Sequence, residues 1–286
     1  MEESGKLYIC GTPIGNLEDI TFRAVRILKK VDLIAAEDTR KTRKLLTEYD
    51  IDTQLISYHE HNEKERAVEL VARISEGTML ALVSNAGMPG ISDPGSEVIK
   101  RALEQGIEVL PVPGPTALIS ALVVSGLPME RFVFEGFLPR QGQQRGERLR
   151  KIKKEQRTTI VYESPYRIKD TLKDLESEIG GRKIALVREL TKVYEEKLYG
   201  TPQKLLERVN EKEIKGEIVL VIAGRKEAKI ERWGWEDYSI VEHVRLLMDQ
   251  GFTKKEAIKK VAGERDVSRK KVYKEAIAIN VDPENF

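Results

Sequence analysis

The chain has 286 residues, of which 40% are apolar and 34% charged, with 49 basic side chains against 47 acidic ones. This length accommodates two domains, or two domains and a small appendage, each with its own buried core. The nearly neutral charge points to no nucleic-acid or membrane partner, so local charge has to be considered instead. The single cysteine, Cys10, excludes an internal disulfide and a zinc site built from several cysteines, as is usual in a reducing cytoplasm.

The hydropathy pattern predicts no membrane segment and no signal peptide. The longest apolar stretch, residues 117–128, is shorter than the about 20 residues that a membrane-spanning helix requires. We therefore expect a buried helix at this position and a cytoplasmic protein with no membrane partner.

Residues 1–125 predict an N-terminal α/β domain. Five apolar strand patterns, LYICGT, DLIAAED, LISYH, TMLALVSN and EVLPVPG, are each followed by a helical pattern. This alternation is typical of a mostly parallel sheet with helices on both faces. Ligands of such sheets bind beyond the carboxyl ends of the strands, where the loops converge.

Residues 126–225 predict a second α/β domain with a mixed sheet. Its strand patterns are FVFEGFL, TTIVYE, KIALVREL and GEIVLVIAG, and helical patterns separate only some of them. Between the first two strands we expect a basic linker, residues 138–157, which has eight Lys or Arg against two Glu.

Residues 226–286 predict a C-terminal helical extension that resembles a helix-turn-helix. Apolar residues mark one helix, a turn and a second helix: Ala257, Ile258, Val261 and Ala262, then Val267 and Ser268, then Val272, Ile277 and Ile279. Between Thr253 and Lys274 there are nine Lys or Arg against three acids. A solvated charged face explains this excess as well as a polyanionic partner does, but the second basic segment at residues 138–157 favours the polyanion.

Loop 1, residues 11–20, follows the first strand. Gly11 and Gly15 would let its backbone approach a ligand, with Asp19 or Thr21 as the cap of the next helix, whose N-terminus attracts anions. The loop matches neither dinucleotide-binding nor phosphate-binding motifs, so a plain structural turn is an equally good interpretation.

Loops 2 and 3, residues 35–46 and 57–63, place charged side chains and histidines at strand ends. In loop 2, Glu37, Asp38 and Arg40 would lie at the mouth of a cleft, although Asp38 or Thr39 would also serve as a helix cap. Loop 3 contains two of the three histidines of the chain, His59 and His61. No further His or Cys cluster completes a metal site, so substrate contact or proton transfer is the better interpretation.

Loops 4 and 5 share a high density of glycine and proline. Loop 4, residues 84–95, contains Gly87, Pro89, Gly90, Pro94 and Gly95. Loop 5, residues 111–122, contains Pro113, Gly114 and Pro115 before a helix that begins at Thr116. We expect Asp93 or Ser96 to cap the helix after loop 4. Two stiff, bare loops at neighbouring strand ends predict a small-molecule pocket in which backbone meets a flat ligand.

Eight motifs in a fixed order carry a family resemblance: TPIGN, AAEDTR, HEHN, S-x-AG-x-P-x-ISDPG, VPGPTA, EGFLPR, YES-x-x-R and RELTK. From about Leu7 to Gly224 the chain resembles the small-subunit ribosomal RNA methyltransferase I family, which belongs to the tetrapyrrole-methylase-like superfamily. The tail resembles the helix-turn-helix extension of that family. The resemblance implies a class III methyltransferase fold, in which a donor cleft lies between two α/β domains.

The resemblance also implies an activity. Members are S-adenosylmethionine-dependent 16S ribosomal RNA (cytidine-2′-O)-methyltransferases, so the expected target is the cytidine at position 1402 in the decoding region. S-adenosylmethionine is the expected methyl donor, no metal is expected, and the expected partners are 16S ribosomal RNA or the 30S subunit and a second copy of the chain. The residues expected to contact the donor are Pro13, Gly15, Ser84, Asn85, Ala86, Gly87, Pro89, Pro113, Gly114, Pro115, Thr116, Glu163 and Ser164, with a further contribution from the strand after Gly216.

A ribose 2′-hydroxyl needs a base before it attacks a methyl group. The candidate bases are Glu37, Asp38, His61, Glu163 and Glu189, among which we expect Asp38 or His61 to matter most. The residues expected to contact RNA are Arg40, Arg140, Arg145, Arg148, Arg167, Arg188 and Lys192.

Two positions of loop 4 depart from the family pattern S-D-A-G-T-P. Asn85 keeps a carbonyl acceptor but loses a negative charge, and Met88 loses a hydroxyl. If the usual Asp holds the positively charged donor or takes the proton, this protein binds the donor more weakly or turns over slowly.

Two other functions compete with this one. A methyltransferase of the same superfamily would act on a tetrapyrrole or corrin ring, but the basic segments and the EDTR and HEHN motifs favour RNA. A non-enzymatic DNA-binding regulator would use the tail alone, and it leaves loops 4 and 5 unexplained.

Overall fold

The structure, a computed structural model, describes residues 5–212, 214–225 and 238–277. The chain forms two compact units, residues 1–225 and 226–286. No helix among the described residues has both the length and the apolar character needed to cross a membrane.

The first sheet is built from five parallel strands in the order β3-β2-β4-β1-β5. The strands are β1 (Lys6–Cys10), β2 (Leu33–Ala36), β3 (Gln54–Ser57), β4 (Met79–Val83) and β5 (Glu108–Val112). Each is followed by a helix: α1 (Phe22–Lys30), α2 (Thr39–Glu48), α3 (Glu63–Ser75), α4 (Ser96–Glu104) and α5 (Ala117–Val124). The predicted parallel sheet is confirmed, and all five loops lie at its carboxyl edge.

Alternate residues of the central strands pack on opposite faces of this sheet, as the two-residue period of a strand requires. Leu80 and Leu82 belong to one buried cluster, which includes side chains of α3 and α4. Ala81 and Val83 belong to the other, which includes side chains of α1 and α2. Burial on both faces explains why these strands are continuous apolar runs in the sequence.

The second sheet has the order β6-β7-β10-β8-β9, with β6 and β7 parallel and the other pairs antiparallel. Its strands are β6 (Phe132–Phe137), β7 (Thr158–Glu163), β8 (Ile184–Arg188), β9 (Glu196–Gly200) and β10 (Ile218–Ile222). Its helices are α6 (Gln143–Lys154), α7 (Ile168–Ile179) and α8 (Pro202–Glu211). The predicted mixed sheet is confirmed.

Helix α5 joins the two sheets. Its buried side chains Leu118, Ala121 and Leu122 form one cluster with Ile160 and Val219 of the second sheet. Ile119 and Val123 of the same helix are exposed, so the apolar sequence ALISALVV extends beyond the face that packs on the second sheet.

Two elements differ from the sequence prediction. The predicted linker at residues 138–157 contains α6, whose Leu149 and Ile152 pack in the core of the second domain. The prediction was wrong because these few apolar side chains stand among many basic ones. Strand β9 was not predicted, because its sequence EKLYG begins with two charged residues and, among the described strands, it pairs with β8 alone at the edge of the sheet.

The C-terminal unit contains three helices: α9 (Ile240–Asp249), α10 (Lys254–Glu264) and α11 (Arg269–Ala276). Capping boxes begin α9 at Ser239 and α10 at Thr253, and Ser268 caps α11. The predicted helical extension is confirmed. Ile279, which we assigned to the last helix, lies outside the described residues.

Candidate active site

A cleft of about 610 Å³ lies at the carboxyl edge of the first sheet and is lined by residues of both sheets. The first domain contributes Ile14, Glu37, Lys41, Asn85, Ala86, Gly87, Met88, Ile91, Ser92, Asp93, Thr116, Ala117 and Leu118. The second domain contributes Phe137, Tyr162, Glu163, Ser164, Pro165, Glu189, Lys192, Gly216, Glu217, Ile218 and Val219. The size and the largely apolar lining suit one small molecule with a few fixed polar contacts.

Loops 1 and 4 are hydrogen-bonded to each other at the cleft. Thr12 and Gly87 exchange two backbone hydrogen bonds, each 2.9 Å long, and the Thr12 hydroxyl donates to the Ser84 carbonyl at 3.2 Å. Gly87 has a φ of 78°, in the left-handed region that residues with a side chain adopt only at an energetic cost. The bare backbone at Gly87 is therefore held in place before any ligand arrives.

Loops 1 and 5 touch through their glycines. A Cβ at Gly11 would lie 2.7 Å from the Gly114 Cα, and a Cβ at Gly114 would lie 2.9 Å from the Gly11 Cα. Gly15 makes a similar contact with the second domain, because its Cβ would lie 2.4 Å from the Lys192 Cγ. These glycines allow close approach of chain segments rather than of a ligand.

Six of the thirteen predicted donor-contact residues line the cleft: Asn85, Ala86, Gly87, Thr116, Glu163 and Ser164. The other seven do not line it: Pro13, Gly15, Ser84, Pro89, Pro113, Gly114 and Pro115. Of these, Ser84 is buried with its hydroxyl 3.2 Å from the Ala86 carbonyl oxygen, and Pro89 lines a separate groove against α4.

Two polar groups at the cleft, the Asn85 side-chain amide and the Tyr162 hydroxyl, differ in whether the protein supplies a hydrogen-bond partner. The Asn85 side-chain oxygen is buried and has no hydrogen-bond partner within the described residues. By contrast, the Leu118 backbone N–H at the start of α5 donates to the Tyr162 hydroxyl at 3.2 Å. Burial raises the Tyr162 pKa to about 12, so this hydroxyl stays neutral. The unpartnered amide oxygen of Asn85 is the acceptor that a bound ligand would satisfy.

Asp38 is the cap of α2. Its carboxylate accepts from the Arg40 N–H at 2.9 Å and from the Lys41 N–H at 3.4 Å, and it pairs with the Arg40 guanidinium at 3.3 Å. These hydrogen bonds to Arg40 hold the Asp38 pKa below its usual value. Asp38 does not line the cleft, so the structure favours the capping interpretation over that of a base.

The other candidate bases occupy different surroundings. His61 is exposed, stacks edge-on against His59 with ring centroids 5.9 Å apart, and is not part of the cleft lining. Glu37 lines the cleft and accepts from the Asn85 backbone N–H at 3.2 Å. Glu163 is buried, with one carboxylate oxygen 2.6 Å from the Thr171 hydroxyl.

Asp93 is a cleft residue to which the sequence analysis gave a different role. We expected it or Ser96 to cap α4, but Gly95 occupies the cap position and no side chain caps that helix. Asp93 instead lines the cleft. Burial, with the nearby charge of Glu37 as the next contribution, raises its pKa to about 6. The motif ISDPG could have indicated this position, because an acidic residue between two turns can line a cleft as readily as it can cap a helix.

The predicted RNA contacts differ in exposure, and most of them, including the exposed Arg40, have an acidic or carbonyl partner in the protein. Arg145 is 9% exposed, pairs with Asp174 at 2.7 Å and donates to the Thr171 hydroxyl at 3.0 Å. Its burial contradicts an RNA contact and gives it a structural role. Arg40 and Arg140 remain exposed.

The remaining four cations also have protein partners. Arg148 pairs with Glu135, and Arg167 donates to the Leu138 carbonyl. The other two pairs are Arg188 with Glu196 at 2.7 Å and Lys192 with Glu189 at 2.9 Å. Among these four, only Lys192 lines the cleft. In the part of the chain that the structure describes, no three metal-ligating side chains cluster.

The fold and the cleft define a class III methyltransferase. The family model for tetrapyrrole (corrin/porphyrin) methylases matches residues 6–206. Among solved structures, cobalt precorrin-4 methyltransferase superposes with a TM-score of 0.60 at 19% identity, covering 76% of this chain and 94% of that one. Uroporphyrin-III C-methyltransferase from Thermus thermophilus, solved with S-adenosylhomocysteine, gives a TM-score of 0.54 at 18% identity, covering 77% and 97%. At these identities the likeness concerns the fold alone.

Relatives of higher identity give the particular family. Ribosomal RNA small subunit methyltransferase I of Halalkalibacterium halodurans is 50% identical over 273 residues, which is 95% of this chain and 94% of that protein. The protein of the same name from Thermotoga maritima is 48% identical over 222 residues, which is 78% of this chain and all of that protein. The chain belongs to the ribosomal RNA small subunit methyltransferase I family.

Proposed function

We propose that this protein transfers a methyl group from S-adenosylmethionine to the ribose 2′-oxygen of the cytidine at position 1402 of 16S ribosomal RNA. The observation that carries the proposal is the 50% identity to a ribosomal RNA small subunit methyltransferase I over nearly the whole chain. The cleft supports it, because a two-domain cleft with bare loops at its base suits a nucleoside donor beside a larger substrate.

The residues of the cleft fit S-adenosylmethionine. The unpartnered Asn85 side-chain oxygen offers an acceptor for a donor hydroxyl or amino group, and Gly87 offers backbone without a side chain. Ile14 and Leu118 supply apolar surface for a flat ring. When bound, the donor supplies an electrophilic methyl group, which a hydroxyl oxygen attacks directly.

The protein contributes mainly positioning. Loop 1 is hydrogen-bonded to loop 4 and in close contact with loop 5, so little of the pocket has to become ordered when ligands bind. A fixed geometry of approach between donor and acceptor supplies much of the rate of a transfer reaction. Lys41 and Lys192 place positive charge in the same cleft, where it would attract RNA phosphates.

The remaining expectations form part of the proposal. We propose that residues 1–125 and 126–225 are the two catalytic domains, that residues 226–286 assist RNA binding, and that the protein works in the cytoplasm as a homodimer. The substrate is 16S ribosomal RNA, either free or in the 30S subunit.

Transfer of labelled methyl groups tests the proposal. The protein is incubated with labelled S-adenosylmethionine and small ribosomal subunits that lack the modification, and the labelled nucleotide is mapped. We expect label on one cytidine ribose. Label on a porphyrinogen or corrin substrate, with none on the subunits, would support the tetrapyrrole alternative instead.

A further inference from the structure

Five carboxylates line the cleft, and any base for the 2′-hydroxyl has to be reachable from it. They are Glu37, Asp93, Glu163, Glu189 and Glu217. The other ionisable groups that line the cleft are Lys41, Lys192 and Tyr162. A base needs an oxygen free to accept a proton and a pKa not far below the working pH.

The carboxylates of the second domain are committed to protein partners. Glu163 accepts from the Thr171 hydroxyl at 2.6 Å and from the Ser164 N–H at 2.7 Å through its two separate oxygens. Glu189 accepts from Lys192 at 2.9 Å and from the Glu217 N–H at 3.1 Å. Glu217 has a side chain that is 77% exposed and lies 3.5 Å from the Lys192 ammonium. Both oxygens of Glu163 are therefore occupied, while Glu189 and Glu217 share the Lys192 ammonium as a partner.

In the first domain, Glu37 holds the backbone of loop 4 by accepting from the Asn85 N–H at 3.2 Å. Asp93 has no cation among the groups that perturb it: burial is the largest influence, followed by the negative charge of Glu37, a hydrogen bond from Ser84 and the charge of Glu217. The single hydroxyl hydrogen of Ser84 has a second acceptor, the Ala86 carbonyl oxygen at 3.2 Å. Ser84 therefore divides its hydrogen between the Ala86 carbonyl oxygen and the Asp93 carboxylate.

The backbone around Asp93 explains why its side chain is in the cleft rather than on α4. Ser92 has a φ of 62° and Gly95 a φ of 150°, both in the left-handed half of conformational space. These two turns bracket Asp93 and Pro94. The charge of Asp93 in turn contributes to raising the Tyr162 pKa, so it acts across the cleft on the second sheet.

We propose that Asp93 is the base that accepts the 2′-hydroxyl proton during methyl transfer; this rests on the function proposed above. The ribose oxygen forms a bond to the methyl carbon as the bond from that carbon to sulfur breaks. The electron pair of the broken bond stays on sulfur, and the sulfonium becomes a neutral thioether. The hydroxyl proton passes to the Asp93 carboxylate and then to solvent, so charge and atoms balance.

The surroundings of Asp93 set the pH dependence of this step. Only the ionised carboxylate accepts a proton, so the rate falls as the pH drops through the Asp93 pKa, which is about 6. Because the charge of Glu37 helps to raise that pKa, Glu37→Gln should move the fall in rate to lower pH. Glutamine keeps an oxygen that can accept from the Asn85 N–H, so loop 4 remains held.

The experiment compares wild type, Asp93→Asn and Glu37→Gln in single-turnover methylation of unmodified subunits between pH 5 and pH 9. We expect Asp93→Asn to lose about 10²- to 10⁴-fold in rate and to lose the acid limb of the profile. Removing this negative charge from the cleft should raise its dissociation constant for S-adenosylmethionine by no more than about tenfold in calorimetry, so the rates are compared at saturating donor. Its melting temperature at pH 7.5 should not fall, since a partly buried charge is removed.

Each outcome decides one question. If wild type methylates no subunit nucleotide, the proposed function fails and the role of Asp93 fails with it. If wild type methylates the subunits while Asp93→Asn keeps the rate and the acid limb, only the role of Asp93 is refuted. The role of Asp93 would also be refuted if the acid limb did not move in Glu37→Gln. It would be refuted as well if the loss of rate in Asp93→Asn were explained by loss of donor binding.

Discussion

At the scale of single residues, Asn85 decides how strongly the cleft attracts a positive ligand. Its backbone N–H binds Glu37, while its side-chain oxygen has no partner among the described residues. An aspartate at this position would keep the acceptor and add a negative charge to a cleft that already holds Glu37 and Asp93. S-adenosylmethionine carries one net positive charge, so the added charge should favour binding.

Asn85→Asp should therefore lower the donor dissociation constant by about three- to tenfold, which corresponds to ~0.6–1.4 kcal/mol. The like charge should also raise the Asp93 pKa, so methylation should lose activity at higher pH than in wild type. Calorimetry and the pH–rate profile measure the two effects. Asn210→Asp, on the exposed surface of α8, adds the same charge elsewhere and serves as control. Equal affinity and equal profiles in wild type and Asn85→Asp would make the departure neutral.

The sequence predicted the helix N-caps more accurately than it predicted which residues line the cleft. Thr21 caps α1 and Asp38 caps α2, both of which were candidates from the sequence, because an N-cap depends only on residues within one turn. The position of Asp93 depends instead on two left-handed backbone angles, at Ser92 and Gly95, and on which chain segments surround the loop. Neither can be read from the order of residues.

At the scale of elements, the meeting of loops 1 and 5 shapes the base of the cleft. Gly114 has its would-be Cβ within 3.0 Å of three backbone atoms of Gly11. Backbone atoms cannot rotate away as a side-chain tip can, so a methyl group here forces the two loops apart.

Gly114→Ala should lower the free energy of unfolding by ~1–3 kcal/mol, the usual cost of overpacking a filled site. It should also weaken donor binding, because Thr116 and Ala117, which follow in the same loop, line the cleft. Denaturant titration and calorimetry measure the two effects. Gly181→Ala is the control: its added Cβ meets nothing within 4 Å. Unchanged stability in Gly114→Ala would show that the loops yield without cost.

Helix α6, which the sequence analysis described as a basic linker, shows that charge composition alone does not reveal a buried helix. In α6, Arg145 occupies a buried position beside Leu149 and Ile152 and pairs with Asp174. A charged side chain at an inward position breaks the apolar period on which helix prediction depends. Its partner is on α7, far along the chain, so the sequence could not indicate that this arginine is neutralised.

At the scale of the whole molecule, the two sheets followed from the alternation of strand and helix patterns, but their joining did not. The apolar character of α5 predicted burial without saying against what. The structure shows that α5 packs on the second sheet through Leu118, Ala121 and Leu122. That contact brings loop 5 of one domain to β7 and β10 of the other, and so creates a single cleft.

The C-terminal unit, residues 226–286, is a compact body of its own. It has its own hydrophobic cluster, which includes Val244, Val261 and Val272. The Thermotoga maritima relative matches this chain over 222 residues, its entire length, so 22% of this chain has no counterpart there. Among the residues that the structure describes, those that line the cleft fall between Ile14 and Val219.

A protein that ends at Lys226 should bind S-adenosylmethionine as wild type does and bind RNA more weakly. The expected cause is electrostatic, because the start of α11 exposes three cations, Arg269, Lys270 and Lys271. Each RNA phosphate that the shortened protein no longer neutralises makes its binding less dependent on salt. We expect the RNA dissociation constant to rise about tenfold and the slope of log affinity against log salt to become shallower by about two to three.

Calorimetry with the donor and filter binding with unmodified RNA at several salt concentrations measure both effects. A full-length protein carrying Arg269→Gln, Lys270→Gln and Lys271→Gln should show the same shallower slope if charge is the cause. Were the triple variant to bind as wild type while the shortened protein binds weakly, the unit would act by shape rather than charge. Were the shortened protein to lose donor affinity instead, the separation of the two functions would be wrong.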